Sequence, residues 1–135
     1  MKIRKTKEKI AVKVGELVFK ITPLTFEQKC EIQSTLAAGT TTAILKASKL
    51  AMKFSVKEIA GLQNEDGTDY QVTFDDIGLS DDVINDLGNS EIGDNLNYMC
   101  ISLLNGIPRQ FENPITKKPL EGVSFVMDGV QDEKK

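Results

Sequence analysis

The chain contains no histidine and only two cysteines among its 135 residues. Without histidine, neither a histidine-ligated metal site nor a Ser-His or Cys-His catalytic pair can form. Cys30 and Cys100 are far apart in sequence, and each falls on the apolar side of a predicted helix. We therefore expect two buried free thiols in a reducing compartment rather than a disulfide.

Long hydrophobic runs are also missing. No stretch approaches the ~18 consecutive apolar residues of a membrane-spanning helix. The N-terminus is basic but has no apolar core, so we do not expect a signal peptide. The chain has no glycine-rich phosphate-binding loop, no GxGxxG motif and no CxxC motif.

Two pairs of adjacent carboxylates, Asp75-Asp76 and Asp81-Asp82, are of a kind that can serve acid–base or two-metal chemistry. No cationic or metal-binding residues accompany them in sequence, and turn and helix-start positions already account for them. The acidic loop 64–69 lacks the ligand spacing of a calcium-binding loop. We predict no catalytic residue, no cofactor and no metal site, and hence a protein that is not an enzyme.

Positive charge is almost absent from the middle of the chain. Between Glu58 and Pro108 there is no lysine or arginine, but there are 11 carboxylates. Residues 1–57 carry a net charge of +8 and residues 58–135 a net charge of −11. Such asymmetry indicates either attraction between the two halves of one molecule or head-to-tail contact between molecules.

The clearest local pattern lies between Lys9 and Leu36. Apolar residues alternate with other residues on both sides of Gly15-Glu16, which is typical of a β-hairpin with a two-residue turn. Pro23 then ends the strand pairing, and Thr25 with Gln28 forms the sequence of a capping box. We predict a hairpin over residues 10–21 and a helix over about 25–37.

Three more helices and a second hairpin follow. The helices are predicted at about 41–54, 80–87 and 90–104, with Ser80 and Ser90 as the residues that begin the last two. In the second helix, Ile44, Leu45, Ala47, Ala51 and Met52 are predicted to form the core face. The turn dipeptide Asp66-Gly67 separates two short apolar segments, 59–63 and 70–74, which predicts a short second hairpin.

Lysines recur at three- and four-residue spacing from the second helix onward, which predicts a stripe along its outer side. This lysine stripe consists of Lys46, Lys49, Lys53 and Lys57. It is either an ordinary solvated face or a docking strip for an acidic partner.

Residues 107–135 contain three prolines and well-separated apolar side chains, so they cannot form a long helix. They are predicted to form an extended C-terminal arm, which either lies on its own domain or docks into another chain. Its candidate partner-binding residues are Phe111, Ile115, Leu120, Phe125 and Met127. The predicted architecture is α+β: a mainly helical domain over 1–106, with both hairpins, followed by this arm.

The segment VKVGELVFKITPLTFEQ, residues 12–28, resembles the opening of siphophage-type tail assembly chaperones, the chaperones of long-tailed bacteriophages. The resemblance is concentrated in residues 10–36 and extends loosely through the helices to about Asn105. It implies a non-enzymatic protein of the host cytoplasm. Such chaperones coat the tape-measure protein, keep its apolar helices soluble, and give way to tail-tube subunits. With oppositely charged halves, copies of the chain could also repeat head to tail.

Two other functions fit the same sequence. The acidic middle region could mimic nucleic acid in a phage-encoded inhibitor of a host defence protein. Alternatively, the hairpin and flexible arm could belong to a structural subunit of the tail or of the head–tail joint. Direct DNA binding through the lysine stripe is opposed by the net charge of −3.

Overall fold

The N-terminal hairpin forms as the sequence predicts. The structure, a computed structural model, describes Met1, residues 8–104 and residues 107–126. Strands β1 (Ile10–Val14) and β2 (Leu17–Ile21) pair antiparallel, with Val14 opposite Leu17. Gly15 adopts φ +61° in the turn, a conformation that glycine reaches without a Cβ penalty.

Two further strands extend this hairpin into a four-stranded antiparallel sheet. They are β3 (Val56–Ala60), which pairs with β2, and β4 (Val123–Phe125), which pairs with β1, giving the order β3-β2-β1-β4. Because side chains alternate along a strand, one face carries fully buried residues such as Val12 and Phe19. The opposite face exposes Lys13, Lys20 and Glu58.

Four helices complete the fold, and side chains cap three of them. They are α1 (Phe26–Leu36), α2 (Thr41–Ser55), α3 (Asp81–Gly88) and α4 (Gly93–Leu103). The predicted capping box of α1 is present, with Thr25 and Gln28 bonded in both directions. Thr40 caps α2 and Ser80 caps α3, whereas α4 begins without a side-chain cap. The prediction that Ser90 begins α4 is wrong, because its hydroxyl donates to the Leu87 carbonyl instead.

The helices cover the apolar face of the sheet, and α2 lies at the centre of the helical layer, in contact with both α1 and α4. One continuous core joins sheet and helix residues, including Phe19 of β2, Ala47 of α2 and Met99 of α4. The α+β class predicted from the sequence is confirmed. No helix in the described part of the chain is long and apolar enough to cross a membrane.

The predicted second hairpin is reduced to a turn with one bridge. Gly67 adopts φ +87° as the turn requires, and Gln63 and Asp69 form a single antiparallel bridge. The residues just before this turn do not pair with 70–74 as a ribbon. Instead, β3 adds to the N-terminal sheet, where Ile59 lies opposite Phe19 and gains an apolar neighbour.

The C-terminal segment packs on the same domain as far as Val126. Phe111 is 1% exposed, and its ring stacks on Phe125 with the ring centroids 5.0 Å apart. The Asn95 side chain donates to the Glu121 carbonyl, which ties the segment to α4 just before β4 begins. Of the two placements open for the arm, residues 107–126 therefore lie on their own chain.

Two predictions about buried side chains are wrong. Cys30 is exposed, because α1 turns only Ile32 fully inward, whereas Cys100 is buried as predicted. Ile44 and Leu45 are 40% and 51% exposed, so they do not belong to the core face of α2. That face is formed by residues such as Ala47 and Ala51, which are fully buried.

Candidate protein-binding site

The outer side of α2 carries an exposed patch of mixed chemistry. Leu45, Lys46 and Lys49 are exposed there, one and two turns from the start of the helix. The remaining side chains of α2 are mostly buried against the sheet and the neighbouring helices. The patch is available because no other described element covers this side of the helix.

The four lysines of the predicted stripe do not form one continuous exposed surface. Lys53 is only 5% exposed, and its ammonium group donates to Asp75 at 2.7 Å and to Asp81 at 2.9 Å. Lys57 lies on β3 rather than on the helix. The predicted stripe is therefore wrong as a four-lysine surface, and only Lys46 and Lys49 remain exposed on α2.

Lys53 turns inward because a loop folds over it. Asp75 accepts hydrogen bonds from Lys53 and from the backbone N–H groups of Ile77 and Gly78. Gly78 lies directly on the Lys53 carbonyl, where a Cβ at position 78 would be 1.9 Å from the oxygen. Leu79 N–H donates to the same carbonyl. The loop and the lysine thus hold each other in place.

The charges in this cluster stabilise one another. The hydrogen bond from Lys53, with those from the two backbone N–H groups, lowers the pKa of Asp75 to about 2. Burial by itself lowers the pKa of Lys53, but its hydrogen bonds to Asp75 and Asp81 outweigh that effect and raise it above the ordinary value. These groups stay ionised at neutral pH, so the cluster acts as a structural ion pair.

A first groove lies beside the exposed patch, between α2, α3 and α4. Its volume is about 190 Å³, and its lining is largely apolar. The side chains that line it include Leu45, Lys49, Met52, Ile84, Leu96 and Cys100. Cys100 adds no reactivity, because burial raises the pKa of its thiol to about 12.

A bare backbone forms one wall of the first groove. Gly88 ends α3 and Gly93 begins α4, and both line the groove. A Cβ at position 93 would be 2.3 Å from the Gly88 carbonyl oxygen, whereas a Cβ at position 88 would meet nothing within 4 Å. The helices therefore approach closely at Gly93, whereas a Cβ at Gly88 would lie in open space.

A second groove lies on the other flank of α2, toward α1 and the 75–79 loop. It encloses about 340 Å³ and is lined by Thr35, Lys46, Lys49, Leu50, Lys53, Ile77 and Asp81. Ile77 is 54% exposed at its edge. Lys49 lines both grooves. We call this continuous region, consisting of Leu45, Lys46, Lys49, Ile77 and the two grooves, the α2 surface.

The C-terminal candidate residues fall mostly in the interior. Phe111 and Leu120 are 1% and 9% exposed, so they cannot contact a partner while the domain is folded as described. Phe125 is half-buried in β4. Ile115 is 81% exposed and stays a candidate, and Met127 lies outside the described residues.

Many carboxylates of the acidic middle region already have partners. Asp66 accepts hydrogen bonds from the backbone and side chain of Thr68 within its own turn. Asp86 accepts a hydrogen bond from the Tyr70 hydroxyl, which raises the pKa of Tyr70 to about 12. Asp75 and Asp81 bind Lys53. These four carboxylates therefore form hydrogen bonds or ion pairs within the chain.

The residues gathered at the α2 surface are mainly apolar and cationic side chains. No group of three or more potential metal-ligating side chains occurs within residues 8–104 and 107–126. The sequence pattern identified Lys46 and Lys49 but missed the first groove, for which the glycines at the α3–α4 junction were the available signal. Comparisons with protein-family models, with curated proteins and with solved structures find no match to this chain.

Proposed function

We propose that this chain is a non-enzymatic bacteriophage tail assembly chaperone that binds the tape-measure protein, tail-tube subunits or both in the host cytoplasm. The observation that carries the proposal is the α2 surface, where exposed Leu45 borders an apolar groove. The resemblance of residues 10–36 to these chaperones is the reason for proposing this family. A groove between helices with an exposed apolar edge can receive an apolar side chain of another protein.

The physical task of such a chaperone matches this surface. A tape-measure protein presents long helices with apolar stripes, which aggregate unless another surface covers them. A groove between helices can receive such a stripe in the helix-in-groove mode. The chaperone must also release the tape-measure protein, and a small groove that contacts only a few side chains binds reversibly.

Co-expression with a siphophage tape-measure protein tests the proposal. We expect the chain to raise the soluble fraction of that protein and to co-purify with it. The variant Leu45→Gln should weaken both effects, and Phe26→Gln is its matched control, since Phe26 is 82% exposed on α1, outside the α2 surface. A tape-measure protein that is equally insoluble with and without the chain contradicts the proposal.

The alternative of a nucleic-acid mimic has less support from the residues. A mimic needs carboxylates that are free to occupy a basic channel, yet Asp75, Asp81 and Asp86 form bonds within the chain. Salt-sensitive binding to a nuclease would favour this alternative. A structural tail subunit would be favoured by ordered tubes of the purified protein.

A further inference from the structure

The α2 surface combines an apolar groove with a cationic edge. On α2 the first groove is lined by exposed Leu45 and by buried Met52, and Lys49 and Lys46 lie next around the helix. Residues three apart on a helix lie on the same side, so both ammonium groups can contact one flank of an occupant. Lys46 forms no salt bridge with the described residues. An occupant that meets both parts needs apolar side chains and negative charge.

Lys49 can change partner without leaving a charge unpaired. It lies 3.1 Å from the carboxylate of Asp81, and both side chains are about half exposed. Buried Lys53 contacts the same Asp81 oxygen at 2.9 Å. When Lys49 turns to an incoming carboxylate, Asp81 therefore keeps its stronger, less solvated partner. Exposed ion pairs of the Lys49–Asp81 kind are weakly held.

The length of the first groove limits the shape of the occupant. Along α2 the lining extends from Leu45 to Met52, which corresponds to roughly 10 Å at 1.5 Å per residue. That length accommodates about two turns of a helix, with apolar side chains at positions i, i+3 or i+4, and i+7. The bare backbone at Gly88 leaves room for one of these side chains to enter.

We infer that the α2 surface binds an acidic amphipathic helix of another protein, with its apolar stripe in the first groove and its carboxylates on Lys46 and Lys49. The inference rests on the proposed function only in naming a helical partner. It adds the charge of the recognised helix and the flank on which that charge lies. Helices with the same apolar stripe but basic flanks are rejected by the same two lysines.

Synthetic helical peptides test the charge requirement. The probe has leucines at i, i+3, i+4 and i+7 with glutamates along one flank, and a matched peptide has lysines in place of the glutamates. Fluorescence anisotropy with the full chain should show tighter binding of the glutamate peptide, by roughly tenfold, and a loss of this preference at high salt. Equal binding of the two peptides would overturn the inference.

Variants of the chain locate the contact. Lys46→Glu/Lys49→Glu should weaken binding of the glutamate peptide by roughly tenfold or more, and Lys46→Gln/Lys49→Gln by less. The matched control is Lys117→Glu/Lys118→Glu, which changes the net charge equally at exposed positions of the C-terminal segment. If the control loses as much affinity as the Lys46/Lys49 variant, attraction is non-specific and the assignment to α2 is wrong.

Gly88→Leu tests the groove independently of charge. Gly88 lines the first groove, and a Cβ at position 88 would meet nothing within 4 Å, so we expect a leucine there to obstruct the apolar stripe without disturbing packing within the chain. We expect loss of binding with an unchanged unfolding temperature. Unaltered binding to this variant would place the peptide elsewhere and contradict the inference.

The co-expression assay separates this inference from the proposed function. If the tape-measure protein is kept soluble equally by the wild-type chain and by Lys46→Glu/Lys49→Glu, the charge requirement fails and the chaperone function stands. If the wild-type chain binds the glutamate peptide selectively but does not solubilise the tape-measure protein, the chaperone proposal fails and the recognition inference stands.

Discussion

Lys53 forms the most buried ion pair that the structure describes, and it contributes to the stability of the fold. Its ammonium group is almost fully buried, yet both aspartates that bind it remain about half exposed. Water therefore screens the carboxylates, and the pair contributes less than a fully buried one. The lysine also fixes the 75–79 loop, whose Gly78 lies on the Lys53 carbonyl. Stability and the shape of the second groove thus depend on the same residue.

Lys53→Met should destabilise the fold. Breaking a fully buried ion pair costs about 3–5 kcal/mol, and the half-exposed carboxylates reduce the expected loss to roughly 1–3 kcal/mol. Urea denaturation at neutral pH measures it. Lys49→Met, at the exposed end of the same cluster, is the control and should leave the denaturation midpoint unchanged. Equal effects of the two substitutions would contradict the special role of Lys53.

The pH dependence of stability should contain a contribution from Asp75. Its pKa is about 2 in the folded chain and 3.8 ordinarily, so the unfolded state takes up this proton first. The stabilisation is complete above about pH 4 and is lost as the pH falls toward about 2. Asp75→Asn should flatten the decline of the urea midpoint over that range.

Asp76→Asn is the control for the pH experiment. Its carboxylate is exposed and forms no salt bridge with the described part of the chain. We expect this variant to keep the acid dependence of the wild-type chain. An acid decline that is the same in the Asp75 variant as in the wild type would show that the ion pair does not contribute.

At the scale of elements, the α3–α4 junction is set by glycine. Gly93→Ala places a methyl group 2.3 Å from the Gly88 carbonyl and should cost roughly 1–3 kcal/mol, since the helices must move apart. Gly88→Ala meets open space and should be neutral or stabilising by up to about 1 kcal/mol, because it restricts the unfolded chain. Thermal unfolding of both variants tests this, and the reverse order would be inconsistent with the described junction.

Side chains of the C-terminal segment, residues 107–126, pack in the hydrophobic core. Phe111→Ala removes a ring that is 1% exposed and stacked on Phe125, and it should cost roughly 3–5 kcal/mol. Ile115→Ala changes a side chain that is 81% exposed and should leave the unfolding midpoint unaltered. A Phe111 variant as stable as the wild type would mean that residues 107–126 do not pack on the domain.

At the scale of the whole molecule, opposite charges are concentrated on different parts of the surface. The outer face of the sheet presents Lys13 and Lys20 beside Glu58, and helices α3 and α4 present exposed carboxylates such as Asp82 and Asp94. Contact between unlike faces of two copies is heterologous, and it repeats as a ring or as an open filament. We propose such head-to-tail association as the means by which copies line up along a long partner.

Light scattering across a salt series measures this association. The apparent mass should be above that of one chain at low salt and fall toward it at high salt, where the screening length drops to a few ångströms. The charge reversal Lys13→Glu/Lys20→Glu should lower the mass at low salt. A single-chain mass at every ionic strength would exclude head-to-tail association.

The sequence by itself determined the elements whose signals are local. The hairpin turn at Gly15, the capping box at Thr25 and the cap at Ser80 each depend on residues within three or four positions. Their geometry is therefore nearly independent of the rest of the chain, and their positions could be predicted. Lys46 and Lys49 were likewise found from helical spacing alone, which gave the cationic half of the candidate site.

Only the tertiary structure decided which side chain or strand each segment contacts where the sequence allows several. Spacing placed Lys53 with the exposed lysines, but a loop more than 20 residues later buries it. The Asp66-Gly67 turn predicted a strand near Ile59 without showing that this strand pairs with β2 rather than with 70–74. The first groove exists only where three helices meet. Such choices depend on long-range burial and charge pairing, which no local pattern contains.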